Sequence, residues 1–286
     1  MRHAYLIMAH NEFGVLQKLI DALDDDRNDI FVHVDQKVKT CPRLNTESAG
    51  LFYTEERIDV RWGTMSQIKA EYALFEETIR RGGNYIRYHV LSGTHLPLKP
   101  QDAIHAYFAK EENRNSELLR FMYTNKYEVN MKLGRYHFCL NGYQHPNSFL
   151  RAVSSRVWHG LLKVQYMCRI QRMPPAVQIK ANNWVSLTPK AVAYIVLNKA
   201  RILKEFRWTF CGDEFFIPYL LETSKDPFFI KNDAQLLYDD IQENANARVL
   251  TNRDYALLME SGCLFARKFS EQHMDIVYDI LKQVKS

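Results

Sequence analysis

Nowhere in this 286-residue sequence does an apolar run approach the eighteen or so uninterrupted residues that would mark a membrane span. The N-terminus, "MRHAYLIMAHNE", has only a short apolar core before His10, Asn11 and Glu12, so no secretory leader is read there and a cytoplasmic protein is expected. Cysteine is sparse: Cys41, Cys139, Cys168, Cys211 and Cys263 are odd in number and lack C-x-x-C spacing, which argues against a disulfide framework or a zinc site. No G-x-G-x-x-G follows the first apolar run, and G-x-x-x-x-G-K-S/T, H-E-x-x-H and G-x-S-x-G are all missing. Their absence removes support for a Rossmann dehydrogenase, a P-loop NTPase, a zinc protease and an α/β-hydrolase. With no repeat, low-complexity tract or Pro/Gly/Ser linker either, one domain over residues 1–286 is expected.

Acidic charge is missing where basic charge is dense. Val129 to Lys204 holds twelve Lys or Arg and no Asp or Glu, so this segment carries about +12 in a chain of net charge +5, leaving about −7 elsewhere. Within it, "SSRVWHGLLKVQYMCRIQRM" (Ser154–Met173) mixes Trp158, Leu161, Leu162, Val164 and Ile170 with Arg156, Lys163, Arg169 and Arg172. Such a stretch fits either peripheral contact with an anionic membrane, through about residues 129–204, or a helix with solvated cations. It contains no recognisable nucleic-acid module, and nucleic acid is not expected as a partner.

What is present alternates strand with helix. "AYLIMA" (Ala4–Ala9), "IFVHV" (Ile30–Val34) and "YIRYHVL" (Tyr85–Leu91) read as strands, and Val15–Leu23 and Met65–Arg81 as helices. Helical crossovers between strands imply βαβ units and an α/β fold. Glu111–Pro174 reads as irregular, Asn182–Thr188 as a strand, Pro189–Leu197 as a helix with Pro at its first position, and Asn252–Ser261 and Glu271–Lys285 as helices. Ligands of such sheets bind at the carboxyl ends of the strands. Here those loops are His10–Gly14, Asp35–Lys37 and Ser92–Lys99.

An acid pair, Asp213 and Glu214 in "TFCGDEFFIPYLL", opens another helical run. Helix capping and general-base catalysis both place a carboxylate at such a position. Asp24-Asp25-Asp26 satisfies Asp-x-Asp as text, but it closes a helix at the wrong end of the sheet for a cleft.

"AYLIMAHNEFGVLQKLIDAL", "IFVHVDQK", "RWGTMSQIKAEYALFEETI", "YHVLSGTHLPLKPQDAI", "NNWVSLTPKAVAYIV", "GDEFFIPYLL" and "LFARKF", in this order from about residue 3 to 270, resemble the core-2/I-branching N-acetylglucosaminyltransferase family, which includes the peptide O-xylosyltransferases. Without a membrane anchor and the paired cysteines of animal members, the chain looks like a bacterial relative. The resemblance implies a GT-A-like fold with a central, mostly parallel sheet flanked by helices, its nucleotide-binding part about 1–110 and its acceptor-side and catalytic part about 111–286. It implies inverting, metal-independent transfer of a sugar, N-acetylglucosamine by analogy, from a UDP-sugar to a hydroxyl; a glycan or lipid-linked acceptor in surface polysaccharide synthesis is expected from the basic, amphipathic Val129–Lys204 region. No cofactor beyond the UDP-sugar substrate is implied.

Carried over residue by residue, the family pattern makes Glu214 the base and Asp213 the better cap. Arg248 and Lys268 clamp the diphosphate, with Arg253 the substitute for Arg248. His10, Asn11 and Asp35 border the nucleotide. Trp62, Trp184 and Asp213 lie near the sugar, as does His95, which stands where the family usually has Asp. Lys132, Arg135 and Tyr136 resemble acceptor-side residues. Two alternatives stay open: a sugar-nucleotide hydrolase on the same scaffold, and a non-catalytic carbohydrate- or phosphate-binding protein.

Overall fold

The computed structural model describes residues 2–142, 147–172, 176, 179–241 and 247–285; Met173, the last residue of the amphipathic stretch, lies outside them. In chain order the elements are β1 (Arg2–Ala9), α1 (Phe13–Leu23), β2 (Asn28–Val34), β3 (Gly50–Tyr53), α2 (Met65–Arg81), β4 (Tyr85–Ser92), β5 (Leu96–Pro97), α3 (Gln101–Ala109), α4 (Glu111–Arg114), β6 (Ser116–Leu119), β7 (Phe121–Met122), α5 (Lys126–Leu133), α6 (Ser148–Met167), β8 (Lys180–Ala181), β9 (Ser186–Leu187), α7 (Pro189–Leu197), α8 (Lys199–Glu205), α9 (Asp213–Glu222), β10 (Phe229–Asn232), β11 (Leu237–Asp239), α10 (Tyr255–Glu260), β12 (Phe265–Arg267) and α11 (Met274–Lys285). The fold is α/β. A seven-stranded sheet of order β10-β6-β9-β4-β1-β2-β3 is parallel at every pairing except those of β9, which runs against β4 and β6.

β1 shows how sequence becomes layer. Alternate side chains leave a strand on opposite faces. Tyr5, Ile7 and Ala9 enter a core with Leu16, Leu19 and Ile276, while Ala4 and Leu6 enter another with Phe75, Ala191 and Phe216. Both faces are covered, which is why the strand is an unbroken apolar run rather than an alternating one. Burying each large apolar side chain contributes about 1.5–3 kcal/mol.

Helix α2 has the bounds its sequence predicts because both ends are signalled. The Thr64 side chain accepts a hydrogen bond from the Ser66 N–H, and Gly82 closes the helix at φ 70°. α7 likewise spans Pro189–Leu197, capped by the Thr188 hydroxyl. Three expectations are corrected. The supposedly irregular middle holds the 20-residue helix α6. The expected strand over 182–188 shrinks to β9, because Asn182, Asn183 and Trp184 turn into a cleft. The helix expected over 252–261 begins as a 3-10 turn, Asn252–Asp254, before α10.

A second sheet, β11-β12-β5, packs beside the main one and carries the chain to Lys268. β12 thus brings residues far along the sequence to the carboxyl ends of β1 and β4.

Candidate active site

A cleft of about 480 Å³ opens at those carboxyl ends. The three loops expected there all reach it: His10 and Asn11 after β1, Asp35 and Lys37 after β2, and Ser92, Gly93 and Thr94 after β4. Trp62, Trp184, Asp213, Glu214 and Lys268 line it as well. Eight residues singled out in the sequence therefore share one cavity. Arg248, His95, Lys132, Arg135 and Tyr136 do not line it.

The acidic wall is the start of α9. Glu214 is half-buried, and its Oε2 accepts a hydrogen bond from Lys132 Nζ at 2.6 Å with Lys180 Nζ 3.5 Å away. Both lysines also hold Glu128 Oε1, at 3.0 and 2.7 Å, so two cations and two carboxylates form one network. Burial works to lower the pKa of Lys132, but Glu214 and its other acidic neighbours outweigh it and hold the ammonium charged. Glu128 in turn sits below the usual carboxylate range: burial opposes this, and the two lysines prevail. Lys132 thus bears on the cleft through Glu214 rather than by lining it.

Asp213 is the first residue of α9, after the N-cap Gly212, but capping is not its main engagement. The carboxylate turns inward, where Oδ2 accepts from Gln67 Nε2 at 2.7 Å and Asn183 Nδ2 at 2.5 Å. Burial, and then the charge of Glu214, push its pKa up to about 6 despite the Asn183 bond. Its Oδ1 has no partner among the described residues. Beneath it Glu71 is fully enclosed, and burial followed by the Asp213 charge raises its pKa well above the ordinary range.

The opposite wall is cationic. Lys268 follows β12 directly, and Arg267 before it lays its guanidinium over the Trp184 ring at 5.0 Å and also lines the cleft. Nothing in the sequence reading marks Arg267 as a site residue. In an ideal strand neighbours face opposite ways; because β12 ends at Arg267, both residues reach the cavity. Arg248 goes elsewhere: its Nε meets Asp240 at 2.8 Å, and Nη2 and Nη1 meet Asp254 at 2.8 and 3.0 Å. With its donors committed to two carboxylates, it is a clasp between the segment after β11 and the turn before α10. The substitute, Arg253, does not line the cleft either.

The remaining residues take supporting or distant places. His95 is buried with Nδ1 3.0 Å from the Ser92 N–H and its ring edge-on to Trp184 at 4.9 Å. Burial, then Arg267, hold it neutral, so it backs Trp184 as an uncharged ring. Arg135 covers the Tyr166 ring at 4.3 Å and donates to the Ile170 carbonyl. The Tyr136 ring stacks on Phe138 at 5.9 Å. Both belong to the packing between α5 and α6. Asp35 is tied to Lys37 at 2.7 Å. Trp62 stays 41% exposed, with its edge on Phe210. In the Asp24-Asp25-Asp26 run, Asp24 accepts from the Glu47, Ser48 and Ala49 N–H groups and Asp25 pairs with Arg27. No group of three or more His, Cys, Asp or Glu arranged to hold a metal occurs among the described residues.

A cleft at the carboxyl ends of parallel strands, with carboxylates on one wall, cations on the other and Trp62 and Trp184 among its lining, sits where α/β sheets bind their ligands. A sequence model of the Core-2/I-Branching enzyme family matches residues 3–235; the chain belongs to that family and is a glycosyltransferase. The match ends before Lys268, so the cationic wall lies outside it. Among solved structures, the chain is similar to mouse xyloside xylosyltransferase 1 in its apo form, at 9% identity and TM-score 0.39, over 93% of this chain and 96% of that one. No curated protein matches the sequence. No helix among the described residues is long and apolar enough to cross a membrane.

Proposed function

We propose that this glycosyltransferase is inverting and metal-independent, and that it transfers N-acetylglucosamine from a UDP-sugar to a hydroxyl of a glycan or lipid-linked acceptor in surface polysaccharide synthesis. Glu214 takes the proton of the attacking hydroxyl. The hydroxyl oxygen bonds to the anomeric carbon as the bond from that carbon to the diphosphate oxygen breaks, and UDP leaves. Lys268 and Arg267 offset the charge gathering on the diphosphate, the role a metal fills in other sugar-nucleotide enzymes. His10, Asn11 and Asp35 border the nucleotide, and Trp62 and Trp184 lie near the sugar.

The observation that carries this reading is the placement of Glu214 across one cleft from Lys268 and Arg267. No described hydrogen bond reaches Glu214 Oε1, leaving that oxygen for an acceptor hydroxyl. The donor sugar and the metal independence rest on the family resemblance and on the cationic character of the wall.

Glu214→Gln is the test. General-base catalysis contributes about 10²–10⁴-fold, so acceptor-dependent UDP release should fall by that factor while UDP binding stays intact. Undiminished release would remove Glu214 from the chemistry.

A further inference from the structure

Helix α6 is buried on one side only. Trp158, Leu162 and Gln165 face the protein, and Trp158 packs on Phe210 with ring centroids 5.3 Å apart. The opposite side is also apolar. Phe149 (71% exposed), Val153, Val157, Val164 and Met167 (82% exposed) recur at helical spacing and form one outward stripe. Arg156 and Lys163, both exposed and two turns apart, run along one edge of it. Packing within the protein does not account for an apolar stripe of this length facing solvent.

We propose that α6 docks the protein on an anionic lipid surface, with the stripe at the headgroup boundary and Arg156 and Lys163 against lipid phosphates. Charge selects the occupant. A second copy docking through the same face would bring these cations against their own counterparts, and between Val129 and Lys204 the sequence supplies no carboxylate to answer them. A bilayer containing acidic lipid supplies the missing anions.

The same helix lies beside the cleft. Phe210 touches Trp158 of α6 on one side and Trp62, at the cleft, on the other, each at 5.3 Å. Docking through α6 would set the cleft back from the headgroups by the thickness of the helix and the Trp158–Phe210 pair, a distance that the sugar of a lipid-linked acceptor would bridge. This last step rests on the transfer proposed above; docking itself does not.

Sedimentation of the purified full chain with phosphatidylcholine vesicles, with and without phosphatidylglycerol, tests the proposal. The protein should pellet with the acidic vesicles at low salt and stay in solution with the zwitterionic ones. The double variant Phe149→Ser/Met167→Ser should partition about tenfold less, and Arg156→Glu/Lys163→Glu should lose the dependence on acidic lipid; neither should shift Tm, because all four side chains are exposed. Protein that stays in the supernatant, or variants that bind like the wild type, would overturn docking. A concentration-dependent dimer that Phe149→Ser/Met167→Ser abolishes would overturn it in favour of a second copy. Donor turnover measured in the same variants without vesicles reads the transfer chemistry separately, so the two proposals fail independently.

Discussion

Arg248 and Arg267 are both arginines near the C-terminal end of the chain, and their surroundings give them opposite work. Arg248 bridges Asp240 and Asp254 at 2.8 Å each, with its side chain partly in water. Arg248→Ala should therefore cost about 1 kcal/mol of stability, read by denaturant unfolding, and leave UDP affinity unchanged. Arg267→Ala should instead weaken UDP, about tenfold to hundredfold in titration calorimetry, because in the proposed site it makes a charge-assisted contact to phosphate worth about 1.5–3 kcal/mol. The places of Glu214 and Lys268 in the cleft are legible in the sequence because each sits inside a contiguous block that resembles the family and sits at the end of an element. Arg248 is not, because its partners lie eight positions before it and six after it, a loop closure that linear spacing does not reveal. Asp213 reads as a cap from its neighbours in the chain; the Gln67 and Asn183 amides that hold it instead come from α2 and from the turn before β9.

At the scale of the element, caps decide how well boundaries can be read. α2 and α7 carry hydroxyl caps at their starts, and their bounds follow from the sequence. Thr64→Ala should lower stability by about 1 kcal/mol, seen as a reduced denaturation midpoint. α6 is hard to read because apolar residues on its outward face blur the 3.6-residue period that marks a helix packed on one side. The turn before α2 is fixed differently: Gly63 sits at φ +73°, and a Cβ there would lie 2.6 Å from Phe210 Cε2. Gly63→Ala should strain this turn and displace Trp62, lowering the melting temperature and, with Trp62 at the sugar, raising KM for the donor in enzyme that is still folded.

Taken whole, the molecule buries neutral imidazoles in several layers. Burial lowers the pKa of His3 to about 2 and those of His33 and His137 to about 4. In the unfolded chain each takes a proton near pH 6.5, so below that pH the unfolded state binds more protons and the stability these groups contribute is lost as pH falls toward their folded values. Asp213, raised to about 6, works the other way between about pH 4 and 6, as do the buried carboxyls of Glu71, Glu117 and Asp239, while His89 and His95, also held neutral by burial, add to the histidines' side. Tm should fall between pH 7 and pH 5; a flat profile would contradict the burial.

The sheet is legible because apolar strands covered on both faces leave a strong pattern. The joining of its carboxyl ends to β12 spans more than 170 residues and leaves no local mark; only the family resemblance, which puts Lys268 at the diphosphate, points to it. The central claim is that this junction forms a uridine-nucleotide site clamped by side chains. Its most direct measurement is a thermal-shift titration with UDP, in EDTA and in Mn²⁺, of the wild type and of Arg267→Ala/Lys268→Ala. At a hundred times the dissociation constant UDP should add about 2.7 kcal/mol of stability, with the rise in Tm unchanged by EDTA and lost in the double variant. No shift with UDP, or a shift that appears only with Mn²⁺ and survives in the double variant, would contradict the account.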